Sequence, residues 1–221
     1  LNYLTTVLEK KWLTHDVFQL SIRKPDSFNY TLGQAVEVSL HKDKDILKAP
    51  FTITSSDKKD SDLQFIIKVY AEHHGITSHL AQLKINDAVS ISEAWSSYKY
   101  CGPGIFIAAG SGITPFIPTL RLLKEQNKID GHKLIFANKK AEDIILYEEL
   151  NEIIGSQFYN VLSRDQLSGH SKGYVNIAYL NKIISDTQQH FYLCGPENFL
   201  KSVSNDLKAL NVSENFIQIV N

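Results

Sequence analysis

Residues Ile105–Pro115 read I-F-I-A-A-G-S-G-I-T-P. Ile105–Ala109 is a short apolar run of the kind found in a strand buried on both faces. It leads directly into Gly110-Ser111-Gly112. Beyond the turn, Ile117, Leu120 and Leu123 recur at helical spacing within Thr114–Gln126. Strand, glycine turn and helix form the local plan of a dinucleotide-binding βα unit. Glycine permits a tight turn and a close approach, and the helix start offers unpaired N–H groups to a pyrophosphate. The third glycine of the usual fingerprint is replaced by Pro115, a residue suited to a first helical turn, and Thr114 is placed to cap that helix. By spacing alone the segment fits a phosphate-binding turn and a plain strand–turn–helix equally well.

Downstream the alternation continues. Leu134–Ala137, Tyr159–Leu162, Phe191–Cys194 and Phe216–Val220 read as strands. Helices are expected near Leu146–Ile154, Ile177–Ile184 and Glu197–Leu210. Strands alternating with helices imply a mainly parallel sheet. Upstream the rhythm differs. Val17–Ile22, Ala35–Leu40, Leu63–Tyr70 and Ala88–Ile91 are short strands separated by turns at Pro25-Asp26, Gly33, Asp57–Asp62 and Asn86-Asp87. One short helix is expected at Thr77–Leu83, starting on Thr77 or Ser78. The expected architecture is therefore two-domain, β followed by α/β. Residues 1–99 form an antiparallel β-barrel and residues 100–221 a parallel-sheet α/β domain.

Bulk properties narrow the function classes. The chain has 221 residues, a net charge of −1, 43% hydrophobic and 21% charged residues, an ordinary globular composition. That charge argues against nucleic acid or an anionic membrane as partner, and no stretch has the length of a membrane helix. Two cysteines, Cys101 and Cys194, are too few for a disulfide scaffold or a four-thiolate cluster. No metal is expected, and a reducing cytoplasm is the expected compartment.

Four motifs in order resemble the ferredoxin–NADP reductase superfamily, in particular its flavodoxin-reductase-like and oxygenase-reductase-like members. They are APFTITS at Ala49–Ser55, GITSHLAQLKINDAVSI at Gly75–Ile91, AAGSGITPFIPTLRLL from Ala108, and YLCGP at Tyr192–Pro196. The resemblance implies a six-stranded flavin-binding barrel and a nicotinamide-binding domain. It implies an NAD(P)H-dependent flavoprotein reductase that passes a hydride to flavin, with FAD expected ahead of FMN. Electrons would then go to a separate acceptor protein such as flavodoxin, ferredoxin or an oxygenase component. Two alternatives are a reductase of diffusible flavin and a non-catalytic module of the same fold.

The resemblance also assigns residues. Ala49, Pro50, Phe51 and Thr52 match the flavin-stacking motif, with Phe51 against the ring and Thr52 near its reactive nitrogen. A flat aromatic face and a short hydroxyl suit those tasks; without the resemblance they are core and strand residues. The family's arginine is replaced by Ala49, so the flavin phosphate must find other partners, for which His73 and His74 are candidates. Lys48 is adjacent but should face away. Ile67, Lys68 and Val69 match a strand lining the flavin, and Lys68 could reach phosphate or merely solvate the barrel. Gly75, Ile76, Thr77 and Ser78 match the flavin-phosphate helix. Gly110, Ser111, Gly112, Ile113, Thr114 and Pro115 match the pyrophosphate turn. Cys194, Gly195, Pro196 and Glu197 match the motif beside the nicotinamide, with Thr52 and Cys194 as the catalytic pair. Ser163, Arg164, Lys172 and Tyr174 match a 2′-phosphate and adenine site. This favours NADPH and leaves NADH open.

Overall fold

The computed structural model describes residues 2–42, 45–55, 61–70 and 75–220. The expected turn residues Asp57–Asp60 and the phosphate candidates His73 and His74 lie outside them. The chain divides into two compact units, Leu1–Ser97 and, in the main, Tyr98–Asn221.

The first unit is an antiparallel sheet. Its strands are β1 (Asn2–Trp12), β2 (Val17–Arg23), β3 (Gln34–Lys42), β4 (Asp45–Thr52), β5 (Asp62–Lys68) and β6 (Ala88–Ser92), in the order β4-β3-β6-β1-β2-β5. A two-residue strand, β7 (Trp95–Ser96), adds to β3. Alternation fixes which face is inward. Val36, Val38 and Leu40 join the core with Phe18, Leu20 and Phe65. Full burial of such a side chain contributes about 1.5–3 kcal/mol, and a one-residue slip would expose the whole set. The two ends of the strand order meet just beyond β4. There Thr54 N donates to the Gln64 carbonyl at 2.8 Å, and Gln64 N donates to Ser55 Oγ at 3.2 Å. The sheet therefore curls into the expected barrel. Pro50 is tolerated because β4 pairs along its length with β3 alone.

β1 was not legible as a strand. Its register against β2 shifts between Val7 and Glu9, so its inward positions lose strict alternation. Polar Glu9, Lys10 and Lys11 then hide the pattern. Lys10 is nonetheless structural: its ammonium donates to the carbonyls of Ala81 and Leu83, the latter at 2.8 Å. These carbonyls follow α1 (Ile76–Leu80). That helix is shorter than expected, and it opens on Gly75 with no side-chain cap. Thr77 and Ser78 lie inside its first turn, so neither caps it.

The second unit is a six-stranded sheet whose pairs are all parallel. Strands β8 (Gly104–Ala109), β9 (Lys133–Asn138), β10 (Phe158–Leu162), β11 (Ser171–Lys172), β12 (His190–Cys194) and β13 (Ile217–Ile219) lie in the order β11-β10-β9-β8-β12-β13. The connections carry α2 (Ile117–Glu125), α3 (Tyr147–Ile154), α4 (Ile177–Ile183) and α5 (Glu197–Ala209). Ile105, Ile107, Ile135, Phe191 and Leu193 pack one face of the sheet with Leu180, Val203 and Leu207 from α4 and α5. No helix among the described residues is long and apolar enough to cross a membrane.

Below the sheet's amino end, His132 is 3% exposed. It stacks on Tyr100 and Phe106 with centroids 5.9 and 6.0 Å away. Its Nδ1 lies 3.0 Å from the Ile129 carbonyl, which requires a donor there. Nε2 is thus the acceptor for the Tyr100 hydroxyl at 2.8 Å. Burial lowers the His132 pKa from 6.5, partly offset by the backbone at Ile129 and Asp130. The unfolded chain therefore binds this proton more readily than the fold does. Stability is held above about pH 6.5 and is lost as pH falls below it. Thermal midpoints recorded from about pH 7.5 to 5 should show that decline, and His132→Phe should flatten it; an unchanged slope in the variant would contradict this origin.

Candidate functional site

In the parallel sheet the strand order reverses between β8 and β12. Open α/β sheets bind ligands beyond the carboxyl ends of the strands at such a point. Residue pairing sets Cys194, the last residue of β12, beside Ala108 of β8. The glycine turn after β8 and the Cys194-Gly195-Pro196 turn after β12 are therefore neighbours. Gly110 has φ +54, a left-handed conformation with open space around it. Gly112 is glycine for a different reason. A Cβ there would lie 2.6 Å from the Cys194 carbonyl carbon and 2.8 Å from Gly195 N. The close approach foreseen at this glycine is thus made by the protein's own backbone.

The turn itself differs from expectation. Gly110–Ile113 form a single 3-10 turn, and α2 opens at Ile117. Thr114 donates through both its amide and its hydroxyl to the Ser111 carbonyl, at 3.1 and 3.0 Å. It cannot also cap α2, and the proline in the first turn of α2 is Pro118 rather than Pro115. The tight turn draws the chain in before the helix starts, keeping Gly110 and Ser111 at the surface and burying Gly112 and Ile113.

The same carboxyl edge carries the remaining nicotinamide-side residues. Leu162 pairs with Lys172 across β10 and β11, so Ser163-Arg164 and Gly173-Tyr174 leave the sheet side by side. Gly173 N donates to the Leu162 carbonyl at 2.9 Å, and Arg164 N to that of Lys139 at 2.8 Å. Among the described residues the Arg164 side chain has no ion pair, whereas Lys140 pairs with Glu142 at 3.1 Å. Asp165 accepts from Ala141 N at 2.9 Å. Among the described residues Lys172 reaches only Gln166, at 3.5 Å, and Tyr174 is 75% exposed. An unpaired guanidinium, a lysine, a hydroxyl and an exposed phenol ring fit a phosphorylated ribose with its base. Asn138, which ends β9, is a residue the motifs did not flag. It is buried, and its Nδ2 has no partner among the described residues; the one signal was an amide closing the apolar run Leu134–Ala137.

In the barrel, Leu47, Ala49 and Phe51 pack on the core. The intervening Lys48 turns to Glu37 at 3.3 Å, and Pro50 is exposed. Phe51 and Thr52 end β4, both half-buried. The Phe51 ring has no aromatic partner, and the Thr52 and Thr77 hydroxyls make no hydrogen bond among the described residues. These free groups suit a flat heterocycle and a phosphate. Lys68, in contrast, is already engaged: its ammonium lies 2.7 Å from Asp16. Burial would raise the Asp16 carboxyl, but the hydrogen bond and charge of Lys68, with Thr14, hold it below its usual value. Both readings of Lys68 from sequence overlooked this partner, which sits in the turn before β2. Ile67 and Val69 flank Lys68 as expected from the strand, and Ile67 is buried.

Comparison with known proteins accounts for both units. The oxidoreductase FAD-binding domain model matches residues 5–100, and the oxidoreductase NAD-binding domain model matches residues 106–205. The fold is that of the ferredoxin–NADP reductase superfamily. It carries an FAD-binding and an NAD-binding domain of the oxidoreductase type. It is 28% identical over 174 residues to the NADH-cytochrome b5 reductase 2-B of Vanderwaltozyma polyspora, covering 69% of this chain and 55% of that relative. The chain thus spans little more than half of that protein's length. The fold matches the CS-b5R domains of human Ncb5or in an NAD+ form, with TM-score 0.86 and 24% identity over 100% of this chain and 70% of that one. It also matches a ferredoxin NADP+ reductase from Neisseria gonorrhoeae with bound FAD and NADP, with TM-score 0.83 and 17% identity over 100% and 98% of the two chains.

Cys194 is half-buried, and burial pushes its thiol up to about 11, with the Gly195 amide opposing. It is a neutral, compact thiol near neutral pH and a poor nucleophile. Cys101 is exposed. Alkylation with iodoacetamide at about pH 8 should therefore label Cys101 first and Cys194 at least tenfold more slowly. Equal labelling rates, resolved by peptide mass analysis, would contradict a half-buried, neutral Cys194.

Proposed function

We propose that this protein oxidises NADPH through a bound FAD and delivers the electrons to a separate electron-carrier protein. The observation that carries this reading is the pairing, in one chain, of an FAD-binding domain with a nicotinamide-type parallel sheet whose switch point gathers the glycine turn and Cys194-Gly195. FAD, when bound, supplies hydride acceptance and the release of electrons one at a time.

The protein's part is placement. Phe51 offers a ring face and Thr52 a hydroxyl donor at the end of β4. Gly75 and Thr77 offer amide and hydroxyl donors to the flavin phosphates in place of the arginine missing at Ala49, and Ser78, which donates through its amide to Gly75 and through its hydroxyl to Tyr70, braces that turn. The amides of Gly110, Ser111 and Gly112 receive the dinucleotide pyrophosphate. Cys194 holds its proton and presents a small sulfur against the nicotinamide. Gly195, Pro196 and Glu197 set the turn into α5. The unpaired Arg164, with Ser163 and Lys172, favours the 2′-phosphorylated dinucleotide, and Tyr174 covers adenine. The acceptor is a small redox protein of the flavodoxin, ferredoxin or oxygenase-component type. The relatives' names add a cytochrome b5-type haem protein to that class.

Anaerobic addition of NADPH to the purified yellow protein should bleach the flavin band within the mixing time of a stopped-flow instrument, and faster than NADH does. A colourless protein that oxidises NADPH only with added flavin would replace this reading with a diffusible-flavin reductase. Arg164→Ala should raise the NADPH concentration for half-maximal bleaching by about 10- to 100-fold, the worth of a charge-assisted hydrogen bond, and leave NADH nearly unchanged. Equal losses for both dinucleotides would remove Arg164 from the phosphate site. Cys194→Ala should slow bleaching at saturating NADPH more than it weakens binding; an unchanged rate would refute its placement beside the nicotinamide.

A further inference from the structure

Three successive residues leaving β10 are fastened to the turn that leaves β9. Ser163 N donates to the Asn138 carbonyl at 3.0 Å, and Arg164 N to that of Lys139 at 2.8 Å. The direction then reverses, and Ala141 N donates to Asp165 Oδ2 at 2.9 Å. None of these bonds uses the Arg164 side chain. Arg164 is exposed, and its guanidinium stands on a backbone held at three consecutive residues. A cation presented from a fixed backbone loses less freedom when it takes up an anion.

An aspartate next to an arginine in the chain is its nearest candidate partner. Among the described residues, however, Arg164 has no ion pair, and the half-buried Asp165 turns its carboxylate to Ala141 N instead. Two other acids of this edge are committed in the same way. Asp143 Oδ2 accepts from Lys140 N at 2.8 Å, and Glu142 pairs with the Lys140 ammonium at 3.1 Å. Each of these carboxylates serves its own turn. A backbone N–H holds a carboxylate by direction as well as by charge, so the acids stay where they are fastened and the guanidinium is left for a ligand.

We infer that Asp165 is a specificity-determining positioning residue: with its carboxylate lodged on Ala141 N, it stays off the Arg164 guanidinium and leaves that cation free for the 2′-phosphate of the dinucleotide. This rests on the phosphate reading of Arg164 given above and adds to it a residue outside every motif that supports that reading. Released from Ala141, the carboxylate would pair with Arg164 and compete with the phosphate. A dinucleotide without that phosphate would bind as before.

The test uses the FAD-loaded full chain. Ala141→Pro removes the one donor without straining the backbone. Ala141 opens a 3-10 segment, and Lys140 before it is extended, at φ −132 and ψ 168. Proline suits the first position of a helical turn, and an extended residue suits the place before proline. Ala141→Pro should raise the NADPH concentration for half-maximal bleaching about three- to fivefold, the size of one exposed ion pair. The value for NADH and the limiting bleaching rate should not change. Adding Asp165→Asn to Ala141→Pro should restore the native NADPH value, because a neutral amide cannot pair with the guanidinium; a loss of mere rigidity would persist in the double variant. Asp165→Asn alone keeps an acceptor for Ala141 N and should bind NADPH at least as tightly as the native chain. The inference fails if Ala141→Pro leaves NADPH unchanged or weakens both dinucleotides alike, if the double variant is as impaired as the single one, or if Asp165→Asn alone weakens NADPH. Arg164→Ala separates that failure from a wrong phosphate reading: a selective loss of NADPH keeps the reading, and equal losses for both dinucleotides remove both.

Discussion

The backbone contact between Gly112 and Cys194–Gly195 is the constraint on which the nucleotide domain is organised. Two strand ends, more than eighty residues apart in sequence, are brought so close at the reversal of strand order that no side chain fits between them. Because β8 and β12 are adjacent and parallel, their following turns emerge at one edge and together. Gly110 supplies the left-handed turn and Gly112 supplies the contact. The two glycines of one motif thus answer to different physical demands, one conformational and one steric. The amides of the turn stay near the surface because the 3-10 segment tightens before α2 begins.

The barrel is organised by register. The inward set on β2, β3 and β5 can be buried in one alignment only, and that alignment dictates which of the remaining residues share a row. Thr52 and Trp95 meet on a row because Ala35 pairs with both. Phe51, one residue earlier, packs against the core and stays half-buried. Lys68 and Asp16 neutralise each other beside this unit's β2–β5 pair, so among the described residues the proposed flavin site draws on amides and hydroxyls rather than on Lys68. Such donors bind a phosphate by direction more than by charge, and the loss of arginine at Ala49 is consistent with that strategy.

Legibility in the sequence followed burial. The strands of the parallel sheet are buried on both faces, so their apolar runs stood out, and Ile105–Ala109, Leu134–Ala137 and Phe191–Cys194 were read to within a residue or two. β1 failed because a bulge breaks its alternation and half its residues are polar. β7 and β11, at two residues each, are too short to carry a period. The helix caps at Thr114 and at Thr77 or Ser78 were misplaced for a shared reason. A hydroxyl near a helix start is a local signal, whereas the true start depends on where the preceding strand delivers the chain.

The sequence by itself determined the two rhythms and the order of the four motifs, whose resemblance implied a flavin- and nicotinamide-binding family, because rhythm and order can be read along the chain without knowing which segments pair. Tertiary structure decided which of two glycines is sterically required, that Lys68 is held by Asp16, that Arg164 has no ion pair among the described residues, and that Trp95 shares a row with Thr52. Each of those depends on pairing between distant segments. Strand register and backbone proximity are collective outcomes of packing, and no local window of residues encodes them.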